Sequence, residues 1–450
     1  MFAHSLGWSI CLVLAAIAGG IAYARRGVSF ALATVVAVSF AMPVWLEISI
    51  GSVPISIQTA AAILGLIVFV VPRPWNIRSP LVLLDIVVAS LVVLHVASDM
   101  FHGQDFAGTA LKAYGEWALP YVTGRYALRE IRDADDLAVV LSVIVIILGI
   151  GGLIEMATGM NLWEVFFGDR PIDGTSRTAQ RFGFKRAFGP TMHPIFFGLL
   201  IMTLTPWPIM LLKWSRWGWR RQLAVVSLLS SGGIIAPVSR SPVLGMGMFL
   251  VGIGAVWSRV VRILAGIALV AVIVWSVVNM SSLMAVFERM GGEQRRLSKM
   301  KLDGEQLEIS STALRVIQLQ VLWPAYREAG FLGYGSEATS VLPPRVPYLP
   351  ADERTRNFLK YMDNAYLLFG LRFGWTGTAL FATLMGTAIW TGVRLSWDRS
   401  IGIIAACLAA LMASMAVILL TTWFSYDMGF EVLWSIGLLG GLAAEQKKQP

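Results

Sequence analysis

The chain has 450 residues, of which 56% are hydrophobic and only 14% are charged. A soluble globular domain carries about 25% charged residues, so this composition excludes an ordinary water-soluble fold and predicts an all-α polytopic membrane protein. The formal charge of +9 would suit nucleic acid, but the basic residues fall in short clusters between apolar runs. Such clusters encode membrane topology, so we expect the lipid bilayer as a partner and no nucleic acid.

Apolar runs near 20 residues long recur along the whole chain, and we count thirteen of them. Basic clusters follow every odd-numbered run, and the positive-inside rule then places the N-terminus outside and the C-terminus in the cytoplasm. The first run, 6–24, lacks a basic segment before it and a cleavage site after it, so we interpret it as a retained helix. We therefore expect a single membrane domain over residues 1–450 with about 13 transmembrane helices.

Two longer loops fall on the outer side of this topology. A first loop covers 158–192, and a large, partly helical loop covers 281–362, before the last three helices. The sequence contains no P-loop and no Rossmann glycine pattern. Cys11 and Cys407 fit neither a disulfide framework nor a metal spacing. We therefore expect chemistry on the outer face, with no metal and no other cofactor.

Two acidic residues and one histidine lie where their surroundings are apolar. Asp85, His95 and Glu116 fall within the fourth and fifth runs; intramembrane polar residues are functional candidates by default, but these could equally pair within the bundle. The segment 133–136 resembles the DxD motif that binds metal in nucleotide-sugar transferases. It lies on the cytoplasmic side of the predicted topology, so we interpret it as the cap of the sixth helix.

Two arginines mark helix entrances on the outer side. Arg186 opens the segment Arg186-Ala-Phe-Gly189-Pro-Thr-Met-His193-Pro194. A basic side chain beside a helix N-terminus favours an anion; the alternative is an arginine that snorkels to the membrane interface. Arg240, in Ser239-Arg240-Ser241-Pro242, is the only basic residue in the short outer loops. Keeping a charge there runs against the topological bias and indicates a specific role.

Further basic residues lie in the two longer loops. Arg315 opens an amphipathic segment in the large loop and is either an anion ligand or a solvated surface arginine. Arg177 and Arg181 lie in the first loop and could also contact phosphate. His193 precedes a proline and is either a substrate contact or a satisfied interfacial histidine.

Asp363-Asn364 marks the point where the large polar loop returns to the apolar runs. Asp and Asn are preferred helix N-caps, but a carboxylate at this boundary could also act as a base. Gly374-Trp-Thr-Gly377 begins after a further nine residues; its two glycines could reflect ordinary close helix packing. The segment Gly330-Phe-Leu-Gly333-Tyr-Gly335 predicts a tight turn whose backbone can approach a ligand, with Tyr334 as a candidate contact.

The order of these motifs resembles that of the O-antigen ligase and O-antigen (exopolysaccharide) polymerase superfamily, membrane glycosyltransferases with a GT-C-like helical fold. The resemblance covers roughly residues 160–390 and rests on Arg186-x-x-Gly189-x-x-x-x-Pro194, Ser239-Arg240, Arg315 with Gly333-x-Gly335, and Asp363-Asn364. The ligase signature has a histidine where this chain has Asp363, although the spacing to the GxxG motif agrees. In this respect the chain is similar to the exopolysaccharide polymerases of the superfamily.

The resemblance implies a metal-independent, inverting glycosyltransferase of the bacterial inner membrane. It would polymerise undecaprenyl-diphosphate-linked oligosaccharide repeat units into exopolysaccharide or O-antigen at the periplasmic face, and a chain-length regulator (a polysaccharide co-polymerase) would be a partner. The implied catalytic base is Asp363, the diphosphate ligands are Arg186, Arg240 and Arg315, and the possible substrate contacts are Asn364, His193, Arg181 and Tyr334. One alternative is an O-antigen ligase that transfers glycan to lipid A-core. The other is a non-enzymatic transporter of a lipid-linked glycan or a solute.

Overall fold

The computed structural model shows a mostly helical chain. It describes residues 2–50, 53–71, 79–128, 131–171, 180–214, 218–278, 298–302, 305–309, 311–338, 362–398 and 400–448. Arg177, most of the large loop and parts of several connections lie outside the described residues. The expectations for those parts, including the extent of the loops 158–192 and 281–362, therefore stay predictions.

Helices form most of the described structure because every backbone polar group within lipid needs an internal partner. In chain order they are α1 Phe2–Arg26, α2 Val28–Ser39, α3 Ile57–Gly65, α4 Leu83–Phe101, α5 Phe106–Ala113, α6 Leu119–Arg125, α7 Ile131–Thr158, α8 Leu162–Phe167, α9 Pro194–Leu204, α10 Pro206–Trp214, α11 Trp219–Ser230, α12 Arg240–Trp257, α13 Arg259–Val278, α14 Ser311–Glu328, α15 Ala365–Leu395, α16 Gly402–Ile418 and α17 Tyr426–Lys448. The strands pair as three antiparallel hairpins, which are β1 Glu47–Ile50 with β2 Val53–Ser56, β3 Gln180–Arg181 with β4 Phe184–Lys185, and β5 Ser298–Leu302 with β6 Glu305–Ile309.

Seven helices among the described residues are long and apolar enough to cross a membrane. Three shorter apolar helices accompany them, at Val28–Ser39, Ile57–Val70 and Gly402–Ile418. A helix of 12 to 17 residues rises about 18–26 Å, less than the roughly 30 Å of a hydrocarbon core. The multi-pass helical fold is thus confirmed, whereas the expected thirteen crossings and the large outer loop stay predictions.

The fifth apolar run, which Lys112, Glu116 and Pro120 interrupt, is still helical. A π-helical turn, Tyr114–Ala118, joins α5 to α6, and Pro120 lies in the first turn of α6, where its missing N–H is not needed. This segment packs against α17 through small residues. A side chain at Gly124 or Gly437 would overlap the backbone of the other helix, which is the close approach that glycine permits between membrane helices.

Helix α15 is broken within its length. Phe373 (φ −125°) and Gly374 (φ 71°) leave the helical conformation. The Thr378 hydroxyl donates to the Tyr366 carbonyl oxygen at 3.1 Å, and the rings of Phe369 and Phe381 lie 4.4 Å apart. Residues twelve apart in a continuous helix are separated by about 18 Å, so the segment 365–372 folds back against 377–381. We call residues 365–381 the α15 hairpin and the Phe373–Gly374 joint its elbow.

The α15 hairpin changes the position expected for Asp363. From the sequence, Asp363-Asn364 precedes a single helix that enters the membrane directly. In the structure it precedes a short segment that folds back, and the longer part of the helix begins only after the elbow. The physical reason is Gly374, which adopts a left-handed conformation that residues with a side chain rarely take.

Candidate functional site

Two of the predicted anion ligands, Arg181 and Arg186, contact the turn that leads into α12. The Arg186 Nε donates to the Pro237 carbonyl oxygen at 3.0 Å, and Arg181 Nη1 donates to the Val238 carbonyl oxygen at 3.2 Å. Arg240 is the first residue of α12, two positions after Val238. The structure therefore brings the segments of Arg181, Arg186 and Arg240 together.

A buried carboxylate binds the segment that follows Arg186. Glu155, in the last turn of α7, is only 4% exposed. It accepts hydrogen bonds from the Gly189 N–H at 2.9 Å and from the Asn161 amide at 3.0 Å. The same Asn161 amide donates to the Gly189 carbonyl oxygen at 2.9 Å. Gly189 is thus bound on both sides, three residues after Arg186.

Arg170 supports the same loop from another direction. Its guanidinium group lies 3.9 Å from the centre of the Phe188 ring. It donates to the Thr191 carbonyl oxygen at 3.1 Å and pairs with the Glu164 carboxylate at 3.0 Å. Buried to 3% exposure, this arginine has a structural role in shaping the loop that carries Arg186.

Sequence reasoning missed Glu155, Asn161 and Arg170. A carboxylate in the last turn of a long apolar helix is the one local feature that could have indicated Glu155.

His193 begins helix α9. Its Nδ1 accepts the Ile195 N–H at 3.2 Å, and Pro194 occupies the first helical position. The imidazole is exposed. This hydrogen bond supports the interpretation of His193 as a satisfied residue at a helix end, and it fixes the ring beside the loop that carries Arg186.

Asn364, rather than Asp363, supplies the side-chain cap of the short segment 365–372. Its Oδ1 accepts the Leu367 N–H at 3.0 Å, and Asp363 comes directly before it and is half-buried. The Asp363 backbone N–H donates to the Gln318 Oε1 at 3.4 Å. Gln318 belongs to α14, one turn after Arg315, so the helix that carries Arg315 packs beside Asp363.

The arginine segments and Asp363 lie at one end of the helical bundle. Gly198, near the start of α9, packs against Pro242 in the first turn of α12. Ile418, the last residue of α16, packs against Gly245 in α12. The next residue, Leu419, accepts the Ala365 N–H at 2.8 Å. The starts of α9, α12 and α15 and the end of α16 therefore meet.

The two glycine motifs, predicted separately, contact each other through their backbones. Gly333 (φ 70°) and Gly335 (φ 87°) form the expected turn. The Gly335 N–H donates to the Arg372 carbonyl oxygen at 2.9 Å, and the Trp375 N–H donates to the Gly330 carbonyl oxygen at 2.8 Å. A side chain at Gly374 would overlap the turn. The first glycine of the GxxG motif therefore allows both the close contact with this turn and the left-handed conformation at the elbow.

Tyr334, the candidate contact in this turn, is anchored on both sides. Its hydroxyl donates to the Ala325 carbonyl oxygen in α14 at 3.0 Å, and its backbone N–H donates to the Leu371 carbonyl oxygen at 2.8 Å. The turn thus connects α14 to the α15 hairpin.

The intramembrane polar residues pair within the bundle. Asp85 binds the Arg125 Nε at 3.0 Å and the Tyr121 hydroxyl at 2.6 Å. Glu116 pairs with Arg372 at 2.9 Å, and His95 lies between Glu116 and Asp99.

Asp136, in the DxD-like segment, binds Arg26 and Arg220, each at 2.8 Å. Ion pairing between helices thus occupies this carboxylate. Across the described ranges, no group of three or more His, Cys, Asp or Glu residues is arranged to hold a metal ion.

Comparison with known proteins agrees with the arrangement of these motifs. The model of the O-antigen ligase family matches residues 224–382. This range includes Arg240, α14, the glycine turn and the α15 hairpin with Asp363, but it excludes Arg186. No curated protein matches the chain. Members of this family are glycosyltransferase-like membrane enzymes. The family match over these residues supports the resemblance to the O-antigen ligase and polymerase superfamily that the motifs indicated.

Proposed function

We propose that this protein polymerises undecaprenyl-diphosphate-linked oligosaccharide repeat units at the periplasmic face of the bacterial inner membrane. The observation that carries the proposal is the meeting of the helix ends that hold Asp363 and Arg240, joined by the loop of Arg186. A carboxylate and several guanidinium groups at one end of a membrane bundle supply a base and fixed positive charge. Glycosyl transfer from a lipid diphosphate needs both.

In the proposed reaction, Asp363 accepts the proton of an acceptor sugar hydroxyl. The hydroxyl oxygen forms a bond to the anomeric carbon of the donor, and the bond from that carbon to the diphosphate oxygen breaks. The diphosphate leaves with the electron pair. Because this is a single displacement, it inverts the anomeric configuration. General-base assistance of this kind contributes about 10²–10⁴ in rate.

Arg186 and Arg240, with Arg315 in support, are the proposed ligands of the departing diphosphate. Guanidinium forks match phosphate oxygens and hold them with paired hydrogen bonds. Preorganised charge of this kind typically lowers a barrier by several kcal/mol. Because the guanidinium groups supply the positive charge that stabilises the leaving diphosphate, the proposed reaction does not require a metal ion.

The remaining candidates are proposed as substrate contacts at the same end of the bundle. Arg181 is supported best, because it binds the Val238 carbonyl oxygen, next to the Pro237 carbonyl oxygen that Arg186 binds. Asn364 caps the segment behind Asp363, His193 lies at the start of α9, and Tyr334 lies in the glycine turn. These three are proposed to contact sugar or diphosphate oxygens.

The choice of a polymerase over a ligase depends on Asp363. The ligase signature has a histidine at this position, whereas the aspartate of this chain resembles the residue found there in exopolysaccharide polymerases. The family description favours the second candidate, an O-antigen ligase that transfers glycan to lipid A-core. Asp85 and Glu116 form ion pairs with Arg125 and Arg372. These intramembrane carboxylates therefore do not need a transported ion as a partner, which weakens the transporter alternative.

The test of the proposed function uses the full chain in proteoliposomes with lipid-linked repeat units. We expect the parent protein to release undecaprenyl diphosphate and to build polymer that stays on undecaprenyl diphosphate. Asp363→Asn should lower both by at least about 100-fold, because it removes the base. The control is Asp398→Asn, which removes a carboxylate that binds Ser400 and Gln446 at the other end of α15.

Three outcomes would count against this proposal. Near-normal polymer from Asp363→Asn would refute the base assignment. Product found only on added lipid A-core would make the protein a ligase, and transport without release of undecaprenyl diphosphate would make it a transporter.

The proposed orientation places this end of the bundle in the periplasm, with a periplasmic N-terminus, a cytoplasmic C-terminus and both longer loops outside. A chain-length regulator stays a predicted partner. Co-purification with such a regulator, together with a narrower polymer length distribution in its presence, would test that partner.

A further inference from the structure

The short segment behind Asp363 ends at an ion pair. Arg372 is the last residue of 365–372, and its Nη1 lies 2.9 Å from the Glu116 Oε1. Its Nε donates to the Ser336 carbonyl oxygen at 3.0 Å. Both charged side chains are only 17% exposed. This arginine therefore joins the elbow of the α15 hairpin to the π-helical turn and to the glycine turn.

Helix α4 binds the same elbow from the other side. The Asp99 carboxylate accepts hydrogen bonds from the Ser336 N–H and hydroxyl, both at 2.6 Å. The Ser98 hydroxyl donates to the Arg372 carbonyl oxygen at 3.1 Å, and the His102 Nε2 lies 2.9 Å from the Gly333 carbonyl oxygen. The last turn of α4 thus fixes the glycine turn and the residue before the elbow.

His95 joins these two groups of contacts inside the bundle. It is 1% exposed, and its two ring nitrogens lie 3.5 Å from the Asp99 carboxylate and 3.6 Å from the Glu116 carboxylate. The Trp117 indole donates to its Nδ1 at 3.2 Å. Asp99, His95, Glu116 and Arg372 form a continuous polar row from α4 to the elbow, which we call the elbow clamp. Glu116 enters it from a π-helical turn, a feature that is frequent at functional sites.

The geometry of the hairpin makes the direction of its short segment sensitive to the elbow. With a rise of 1.5 Å per residue, Ala365, two residues after Asp363, lies about 13 Å from Gly374, so a rotation of about 5° at the elbow moves this end of the segment about 1 Å. The apolar contacts of Leu367, Leu368 and Leu371 with α14 stabilise the segment, but apolar burial is non-directional. The bonds that the Arg372 side chain makes at the elbow are directional, so they constrain the angle between the two parts of the hairpin.

We infer that Glu116 and Arg372 are positioning residues that hold Asp363 in place through the elbow of the α15 hairpin. This inference rests on the proposed function of Asp363. A displacement of 1 Å at a reacting group can cost about 100-fold in rate. Loss of the clamp should therefore lower kcat strongly and affect substrate binding little.

The kinetic test compares purified variants in proteoliposomes with lipid-linked repeat units, per amount of inserted protein. Glu116→Gln and Arg372→Gln should each lower kcat about 100-fold, with KM within about twofold. Arg372→Lys keeps the charge but loses the planar fork, so it should recover about one tenth of the parent kcat. The matched control is Asp85→Asn, which breaks an ion pair between α4 and Arg125 away from the hairpin; its kcat should stay within about threefold.

A second measurement monitors the geometry of the elbow by disulfide cross-linking and does not depend on enzymatic activity. Tyr366→Cys and Thr378→Cys place two thiols across the hairpin, where Thr378 binds the Tyr366 carbonyl oxygen, after Cys11 and Cys407 are replaced by serine. The disulfide should form in the parent, fall at least fivefold with Glu116→Gln or Arg372→Gln, and persist with Asp85→Asn. Unchanged kcat, or a lower kcat with unchanged cross-linking, would overturn the inference. Full activity of Asp363→Asn would refute the proposed function instead, and the cross-link would still test the clamp.

Discussion

At the scale of single residues, Gly189 shows how the loop of Arg186 is fixed. Its φ of 54° is left-handed, and the Phe197 ring occupies the space that a side chain would need. Glu155 and Asn161 bind its N–H and carbonyl oxygen. Because both peptide groups are bound in a conformation that glycine alone adopts easily, the path of the chain at Arg186 is strongly constrained.

Gly189→Ala tests this constraint at the level of one side chain. The change adds both backbone strain and overlap with Phe197, so we expect a loss of about 2–4 kcal/mol, measured as a lower unfolding temperature in detergent. The matched control is Gly103→Ala, because Gly103 has φ of 81° and nothing within 4 Å of an added Cβ. The control shares the strain without the overlap and should lose only about 1 kcal/mol. Equal losses for both variants would contradict the role of close packing at Gly189.

Residue preferences alone indicated some of these positions. Asn was predicted as a possible cap before the helix at 365, and the Asn364 side chain does accept the Leu367 N–H. Glu155 was not predicted, because its partner Gly189 lies 34 residues later in the chain. A local pattern contains no information on such a contact, and only the packing of α7 against the loop creates it.

At the scale of elements, the α15 hairpin determines where Asp363 lies. A run that looks like one apolar helix contains a left-handed joint at Gly374. The joint lets Phe369 pack against Phe381 and Phe424 within an aromatic cluster. The contacts with that cluster stabilise the folded-back segment and compensate for the lost helical hydrogen bonds.

Cross-linking at a fixed sequence spacing tests the hairpin itself. Cysteines at Tyr366 and Thr378 are twelve residues apart and should form a disulfide, because the hairpin brings their backbones together. The matched pair is Thr378→Cys with Trp390→Cys, which has the same spacing within the unbroken part of α15. These two positions are about 18 Å apart and should stay reduced. A disulfide in neither pair would contradict the hairpin and favour a continuous helix.

The apolar run after Asp363-Asn364 predicted a helix there, and residues 365–395 are helical except at the elbow. It did not predict the reversal, because a glycine inside an apolar helix is common in membrane proteins and does not by itself mark a turn. Likewise, the interruption at Glu116 was visible in the sequence, but neither the π-helical turn there nor the pairing of Glu116 with Arg372 across the bundle was predicted.

At the scale of the whole molecule, the two ends of the bundle differ in their chemistry. The end with Arg186, Arg240 and Asp363 also contacts the turn just before β1, since the Val44 N–H donates to the Pro190 carbonyl oxygen at 2.9 Å. The opposite end joins the C-terminal residues to the start of α4, where the Lys447 Nζ donates to the Leu81 carbonyl oxygen at 2.9 Å. The proposed active end and the C-terminus are therefore on opposite sides.

Labelling of introduced cysteines tests which side faces outward. Ser49 lies in β1 and is exposed, and Trp397, between α15 and α16, is 75% exposed. In intact cells whose outer membrane has been permeabilised, a membrane-impermeant maleimide should label Ser49→Cys, and Trp397→Cys should react only after the inner membrane is opened. The basis is the charge bias of the loops. The reverse labelling pattern would place Asp363 in the cytoplasm and exclude a periplasmic polymerase.

Composition, apolar run length and motif order are local properties of the chain, so they were enough to predict the membrane class, the helical content and the family resemblance. The sequence also identified Asp363, Arg186 and Arg240 as residues whose charge needs an explanation. The tertiary structure alone decided that 365–372 folds back, that Glu155 holds Gly189, and that Glu116 and Arg372 meet at the elbow. These features depend on contacts between residues up to 256 positions apart, and only the folded chain brings such residues within hydrogen-bonding distance.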